Sequence, residues 1–162
     1  TKVAGFGNDY LRKGGEVTRI TKAQVKESVE GSLARLGTDA IDLLQIHWPD
    51  RYVSLFGGAA YHPENIREGD VPFEEQLEAL AAVVREGKVR HVGVSNETSW
   101  GVTRFLLEAE KSGGPRIVSI QNSYSLLVRG AYETDLAETC AAHNGDVGLL
   151  AYSPLAGGVL SG

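Results

Sequence analysis

Short apolar runs alternate with longer amphipathic segments along this chain, and this alternation constrains the fold more than any other feature. The runs are too short for helices and consist mostly of β-branched or aliphatic residues, as is typical of strands buried on both faces. They lie at residues 42–47, 89–95, 117–121 and 147–152, and residues 1–3 resemble the end of a fifth. The last three begin 28 and 30 residues apart, the length of one βα unit.

Four segments between these runs have helical periodicity. Thr21 and Gln24 fit a capping box ahead of the first, and Gly37 is a typical helix stop. The pattern is weakest in the fourth segment. We expect helices at about residues 21–36, 72–86, 99–112 and 132–143. Strands that alternate with helices in this way predict an α/β fold with a parallel sheet.

Loop lengths differ between the two ends of the predicted sheet. The connections from helix to strand are short, whereas residues 4–20 and 48–71 form long connections after strands. Long loops after parallel strands usually surround an active site. The segment 51–70, with Tyr52, Phe56, Tyr61 and His62, is therefore either a wall of a substrate pocket or a solvated insertion.

A doubly wound sheet and a (β/α)₈ barrel both fit this order of elements. No strand is followed by the glycine fingerprint G-x-G-x-x-G of a dinucleotide-binding sheet, which favours the barrel. Eight units typically take about 250 residues. The chain starts on Thr1-Lys2-Val3 without any Met and ends on LAGGVLSG. We therefore expect residues 1–162 to be a single barrel domain that is incomplete at both ends.

Charge and composition limit the partners and the location. The net charge is −5 without a run of like charges, so nucleic acid and an anionic membrane are poor partners. No apolar run approaches the roughly 18 residues that a membrane span needs. The one cysteine, Cys140, suits a reducing compartment. A cytoplasmic location or an organellar stroma is expected.

Each predicted strand ends in polar or ionisable side chains. Taken singly, each has an ordinary explanation: a histidine bonds a nearby carbonyl, a lysine is a surface charge, and a Ser-Asn pair caps a helix. Their coincidence at one edge of a parallel sheet instead predicts a shared site at the mouth of the barrel. The residues are Lys2, His47, Ser95, Asn96, Gln121, Asn122, Tyr152 and Ser153.

These side chains suit one chemistry. A lysine ammonium stabilises developing negative charge and lowers the pKa of a neighbouring acid. A histidine beside it can orient a carbonyl oxygen or take part in proton transfer. The amides of Asn96 and Gln121 match a planar carboxamide, and Tyr152 offers a flat face for stacking. A carboxamide on an aromatic ring describes nicotinamide, which presents a hydride to a carbonyl.

Several phrases resemble the aldo-keto reductases: TKV, DLLQIHWPD, GKVRHVGVSN, IQNSYSLL and AYSPLAGGVLSG. They are most similar to the branch that includes bacterial and plant reductases and the potassium-channel beta subunits. The resemblance covers nearly the whole chain. It implies a (β/α)₈ TIM barrel of which this chain is a part, about units three to seven.

The resemblance also implies roles for individual residues. Lys2 matches the catalytic lysine after the third strand of the barrel, and His47 matches the catalytic histidine after the fourth. Three positions match those that hold the nicotinamide carboxamide of NADP(H), namely Ser95, Asn96 and Gln121. Tyr152 matches the ring stacked on the nicotinamide. The loop along the pyrophosphate is matched by Ser153, Pro154, Leu155 and Gly157.

The general-acid tyrosine of the family, and the aspartate that pairs with its lysine, belong to the first two units and are not among these residues. We therefore expect the 162-residue chain to be an inactive part of an NADP(H)-dependent oxidoreductase that reduces small aldehydes or ketones. The alternative is a nucleotide-binding regulatory subunit similar to the channel beta subunits. A barrel lyase that uses Lys2 as a Schiff-base amine ranks far below both. Open sheet edges also predict self-association.

Overall fold

The computed structural model of the protein describes residues 1–12, 14–54 and 60–162. Five parallel strands form one sheet: β1 Lys2–Val3, β2 Ile41–Ile46, β3 Val89–Ser95, β4 Ile117–Ser123 and β5 Gly148–Tyr152. Five α-helices lie between them: α1 Lys22–Leu36, α2 Phe73–Arg85, α3 Ser99–Ser112, α4 Gly130–Glu133 and α5 Leu136–Cys140. Short 3₁₀ helices occur at Pro63–Asn65 and Ala156–Ser161. No helix of the described residues is long and apolar enough to cross a membrane.

The strands lie side by side in the order in which they occur along the chain. Every crossover therefore steps in the same direction, and right-handed crossovers then place the helices on one face of the sheet. A doubly wound sheet reverses its direction partway and covers both faces. The observed order is singly wound, as a (β/α)₈ barrel requires, and it excludes the doubly wound alternative.

The start and stop signals of α1 act largely as predicted. The Thr21 hydroxyl accepts a hydrogen bond from the Gln24 main-chain N–H at 3.4 Å. Gly37 ends the helix in the left-handed region at φ 64°, and its N–H donates to the Leu33 carbonyl at 2.9 Å. The Gln24 side chain, however, accepts from the Arg19 N–H at 2.6 Å rather than closing the box on Thr21. The cap thus fastens the preceding loop to the helix.

The prediction of one helix at residues 132–143 is wrong, because two short helices, α4 and α5, occupy this region. They are separated at Asp135, whose φ of −147° and ψ of −62° are not helical. The Ser99 hydroxyl at the start of α3 donates to the Asp135 carboxylate. The Thr134 hydroxyl also donates to the Gly130 carbonyl at 2.6 Å. These side-chain bonds compete with a continuous helix in the way that Ser, Thr and Asp often do.

The helices bury the apolar core against one face of the sheet. Phe105 of α3 is 1% exposed and meets the Phe73 ring edge-on, with ring centroids 4.9 Å apart. The strands supply mainly β-branched residues to this core, including Val92, Val94 and Ile120. Helix-to-sheet burial of this kind is the main stabilising contribution in such a fold.

A buried polar layer lies among the strands at mid-height. The Gln45 amide donates to the Val94 carbonyl at 3.3 Å and approaches the Ser119 hydroxyl at 3.5 Å. Gly93 stands in register with Gln45, and the side chain of Ser119 occupies the space beside it. A Cβ on Gly93 would lie 2.4 Å from the Ser119 Oγ and 2.9 Å from its carbonyl oxygen. This layer therefore requires glycine at position 93.

The strand β5, at one edge of the sheet, is largely exposed. Leu150 is 42% exposed, and Gly148 and Ala151 are exposed as well. Within the described residues β5 pairs only with β4, and β1 pairs only with β2. Both edges of the sheet therefore present unpaired strands, and the β5 edge also presents apolar side chains.

The open edges predict self-association of the 162-residue chain expressed by itself. Sedimentation velocity should show species larger than the monomer, because unpaired parallel edges and exposed leucines are free to dock. Leu150→Lys should shift the distribution toward monomer. Leu107→Lys, at a position on α3 that is 53% exposed, is the matched control and should not. A monodisperse wild-type monomer with a cooperative melt would contradict the prediction.

The polar layer predicts that Gly93→Ala destabilises the fold. Overpacking at a site that cannot relax typically costs about 1–3 kcal/mol of unfolding free energy. Urea unfolding of the full-length protein that contains this chain measures the loss. Gly130→Ala, where an added Cβ meets nothing within 4 Å, is the control. Equal stability of the two variants would show that Ser119 and Gln45 move aside at little cost.

Candidate functional site

The strand register brings the predicted polar residues to one edge of the sheet. Lys2 is in register with Gln45, two residues before His47, and the His47 N–H donates to the Val3 carbonyl at 2.8 Å. Ser95 is in register with Gln121. On the next pair, Ser123 of β4 is in register with Tyr152 of β5. The carboxyl ends of all five strands therefore meet along one rim, as the sequence predicts.

Lys2 and His47 form the ionisable part of this rim. Partial burial lowers the pKa of His47 below its ordinary 6.5, and the positive charge of the nearby Lys2 lowers it further. The imidazole is therefore neutral at neutral pH and carries one N–H donor and one free nitrogen. The imidazole ring packs against the indole ring of Trp48, with ring centroids 4.7 Å apart.

The loop after β1 packs against the end of β2. The Trp48 indole N–H donates to the Phe6 carbonyl at 2.9 Å. A Cβ on Gly5 would lie 2.0 Å from the Trp48 carbonyl oxygen, so the two segments touch through their main chains. Trp48, the residue that follows His47, thus connects the loop after β1 to the end of β2.

Asn96 lies at the centre of the rim. It follows β3 in the left-handed conformation, with φ 54°, which asparagine tolerates better than most residues. Its Nδ2 donates to the His47 carbonyl at 2.9 Å, and its Oδ1 accepts from the Tyr152 hydroxyl at 2.8 Å. The Ser95 hydroxyl donates to the Gln121 carbonyl at 2.7 Å.

These contacts decide one alternative that the sequence left open. Ser95 and Asn96 do not cap α3, because the N-cap is Thr98, whose hydroxyl accepts from the Gly101 N–H at 3.2 Å. Ser95 is 2% exposed and fixes the main chain of β4. Both residues therefore organise the rim rather than the helix.

The groups beside Asn96 fit a carboxamide ligand. Gln121 is half-buried, and within the described residues its side-chain amide has no hydrogen-bond partner. The Asn122 Nδ2 donates to the Glu97 carbonyl at 3.0 Å, while its buried Oδ1 has no partner among the described atoms. The Gln121 amide offers the donor and acceptor that a planar carboxamide needs, whereas Asn122 lies on the opposite face of β4 and binds the main chain at Glu97.

The segment after β5 is a tight turn. Four residues have left-handed φ values: Ser153 at 54°, Ala156 at 49°, Gly157 at 68° and Gly158 at 100°. The N–H groups of Ala156 and Gly158 donate within the turn, to the Ser153 and Leu155 carbonyls at 2.9 and 3.0 Å. An added Cβ on Gly157 would meet nothing within 4 Å, so the surface there is open. The predicted loop of Ser153, Pro154, Leu155 and Gly157 is thus an open turn, and its place along a pyrophosphate stays a prediction.

Two buried acidic residues near the rim were not predicted from the sequence to be part of the site. Asp50 is fully buried and binds Arg19, whose pKa is raised mainly by that hydrogen bond. Glu97 is 4% exposed and makes two hydrogen bonds of 2.7 Å to Arg51. The available signal was their position, since each lies within four residues after a predicted strand end.

The described residues of the segment 51–70 border a separate cavity of about 550 Å³ near the start of α3. Tyr52 and Tyr61, with ring centroids 5.4 Å apart, line it together with Trp100. Neither His47 nor any other strand-end residue lines this cavity. Phe56, which the sequence analysis placed in the same loop, lies outside the described residues. No three His, Cys, Asp or Glu side chains among the described residues converge as metal ligands.

The pKa of His47 can be tested directly by NMR titration of its ring in the full-length protein. It should lie below 6.5, and Lys2→Met should raise it only part of the way, because burial is the larger cause. Lys88→Met, which removes a lysine that pairs with Glu30 and Glu86, is the control and should leave it unchanged.

The lowered pKa also fixes the sign of a stability change. The unfolded state binds a proton at His47 more readily than the folded state, so its contribution to stability falls as the pH drops below about 6.5. This contribution to stability is lost in full once the pH is below the pKa that His47 has in the folded state. A His47 pKa at or above 6.5 in the folded protein would contradict the electrostatic account of the rim.

The comparisons with known proteins agree with this geometry. Residues 1–162 match the family model described as Aldo/keto reductase family. The chain is 44% identical over 170 residues to "Aldo-keto reductase" of Babesia bovis, which covers 100% of the chain and 59% of that protein. It is 46% identical over 143 residues to "Protein tas" of Escherichia coli (strain K12), covering 88% of the chain and 40% of that protein.

A solved structure shares the fold. It is a crystal structure provisionally assigned as a 2,5-diketo-D-gluconic acid reductase B, with a TM-score of 0.64 and 25% identity over 86% of this chain and 40% of that one. The chain spans 40 to 59% of the length of these three proteins. The predictions of the family, of its branch and of a partial (β/α)₈ barrel are confirmed. The chain belongs to the aldo/keto reductase family.

Proposed function

We propose that the full-length protein containing this chain is an NADP(H)-dependent oxidoreductase that reduces small aldehydes or ketones to alcohols. Its family membership supports oxidoreductase activity. The observation that carries the proposal is the juxtaposition of a neutral His47 with the Lys2 ammonium on one rim, two strands away from the amide of Gln121.

The residues of β3, β4 and β5 fit a nicotinamide cofactor. The Gln121 amide offers a donor and an acceptor, Ser95 and Asn96 lie on the same rim, and the resemblance to the family assigns the Tyr152 ring to stacking. Ser153, Pro154, Leu155 and Gly157 would lie along the pyrophosphate, as the resemblance to the family implies. When bound, the nicotinamide supplies the hydride for the carbonyl carbon. The preference for NADP(H) over NAD(H) rests on the resemblance of the motifs.

Lys2 and His47 act on the carbonyl oxygen in this proposal. The neutral imidazole donates its N–H to that oxygen and orients it. The Lys2 ammonium stabilises the negative charge that develops there, and it lowers the pKa of a neighbouring phenol that protonates the oxygen. The resemblance places that phenol, and the aspartate partner of the lysine, outside these residues. The inactivity of the 162-residue chain by itself stays a prediction.

We also propose a reducing compartment, either the cytosol or an organellar stroma, because Cys140 is free and buried. Burial raises the pKa of its thiol to about 11, so it stays protonated and unreactive at neutral pH. The cysteine is thus not part of a disulfide that would require an oxidising environment.

The proposal is tested with the full-length protein, NADPH and a panel of small aldehydes. We expect NADPH to bind and to be consumed in proportion to aldehyde. His47→Ala should lower kcat/KM by about a hundredfold or more, as the loss of a group acting on the reacting oxygen does. Its Kd for NADPH should change by less than about twofold, since no cofactor contact is removed.

His143→Ala is the matched control, since His143 lies in an exposed turn after α5. It should leave both kcat/KM and the Kd for NADPH at the wild-type values. NADPH binding with no turnover of any aldehyde would favour the regulatory subunit instead. Failure to bind either NADPH or NADH would contradict both functions.

A further inference from the structure

The hydroxyl of Tyr152 has a partner that a purely stacking ring would not need. Tyr152 is the last residue of β5 and is in register with Ser123 of β4. Its hydroxyl nevertheless reaches past the end of β4 and donates to Asn96 Oδ1 on the far side, at 2.8 Å. Ring and hydroxyl therefore have separate surroundings, and the hydroxyl contacts the strand that is two places away in the sheet.

The polarity of this contact is fixed by the other end of the Asn96 amide. The His47 main-chain carbonyl can only accept, so the amide must turn its Nδ2 toward it, at 2.9 Å. Oδ1 then faces Tyr152, and the phenol must donate. A flipped amide would oppose two oxygens at His47, so the arrangement has one stable sense. Two directional hydrogen bonds thus join the ends of β5, β3 and β2.

The sheet ladder by itself does not make this connection. It pairs β5 with β4 and fixes the main chain of β5, but it does not link the end of β5 to His47. The Tyr152–Asn96 bond supplies that link. The main chain of Asn96 has a left-handed conformation, which is uncommon for a residue other than glycine. Removing the Tyr152 hydroxyl therefore frees the side chain of a residue whose main-chain conformation is already uncommon.

We propose that the Tyr152 hydroxyl is a positioning group for His47. Through Asn96 it fixes the main-chain carbonyl of His47, and with it the direction in which the imidazole is presented to a substrate oxygen. This role is distinct from the contact that the Tyr152 ring makes with a cofactor, and it rests on the proposed function only in its kinetic consequence.

The test is Tyr152→Phe in the full-length protein, which keeps the ring and removes only the oxygen. In the cofactor-free protein, the side-chain amide resonances of Asn96 and the ring resonances of His47 should both shift in ¹⁵N-resolved spectra. Tyr124→Phe is the matched control, because the Tyr124 hydroxyl donates to the exposed Glu133 at 2.6 Å. Its spectra should be unchanged at Asn96 and His47. Unmoved His47 resonances in Tyr152→Phe would overturn the proposal.

Kinetics separate positioning from cofactor binding. Loss of one hydrogen bond should lower kcat by about threefold to tenfold, while the Kd for NADPH changes by less than about twofold because the stacking ring remains. Tyr152→Phe combined with Asn96→Ala should be no worse in kcat than Asn96→Ala alone, since both act through one path. Additive losses, or a weaker Kd with unchanged kcat, would overturn the proposal.

A wild-type protein that neither binds NADPH nor reduces an aldehyde would remove the proposed function. The cofactor-free spectra would still decide the positioning role by themselves. The two failures are therefore distinguishable.

Discussion

The site depends on one buried carboxylate, that of Asp50, which has no exposed surface. A buried charge is tolerated only when it is paired and hydrogen-bonded. Asp50 meets this condition by accepting from Arg19 at 2.7 Å, from the Ile20 N–H at 2.8 Å and from the Val71 N–H at 3.0 Å. These donors come from the end of the β1 loop and from the segment that enters α2. Because Asp50 follows His47 by three residues, the same carboxylate that bonds to both loops also fixes the chain just beyond the end of β2.

A second ion pair repeats this arrangement one strand further along. Glu97 follows Asn96, is buried, and binds Arg51 of the β2 loop through both carboxylate oxygens. It also accepts from the Thr98 N–H at 2.8 Å, at the positive end of the α3 dipole. A Cβ on Gly101 would lie 2.0 Å from its carboxylate, so only glycine fits there. Two ion pairs, Arg19–Asp50 and Arg51–Glu97, therefore hold the main chain beside the groups that contact a ligand in our proposal. Such support is what keeps a site within the narrow geometry that catalysis needs.

The sequence predicts the parts of this fold that are encoded locally. Strand runs, the Thr21 cap, the Gly37 stop and the common rim of strand ends all follow from short patterns, because parallel strands deliver their carboxyl ends to one edge. The interactions that were missed join residues far apart in the chain. Gln45 and Ser119, Arg51 and Glu97, and Asn96 and Tyr152 are separated by 74, 46 and 56 residues. No local pattern specifies such pairs. The prediction of one continuous fourth helix was wrong for the same reason, since the hydrogen bond from Ser99 of α3 reaches Asp135 across 36 residues.

The electrostatics of the rim set the kind of substrate it suits. Burial and the Lys2 ammonium act on His47 in the same direction, so the pair carries one positive charge rather than two. Two adjacent cations would bind a carboxylate or a phosphate tightly in its ground state and gain little as a reaction proceeds. One cation beside a neutral N–H donor binds an uncharged carbonyl weakly, and its attraction grows as negative charge develops on the oxygen. Asn96 holds the His47 carbonyl through a neutral amide, so it adds no charge to this rim. In the proposed function, the lowered pKa of His47 would therefore favour aldehydes and ketones over anions.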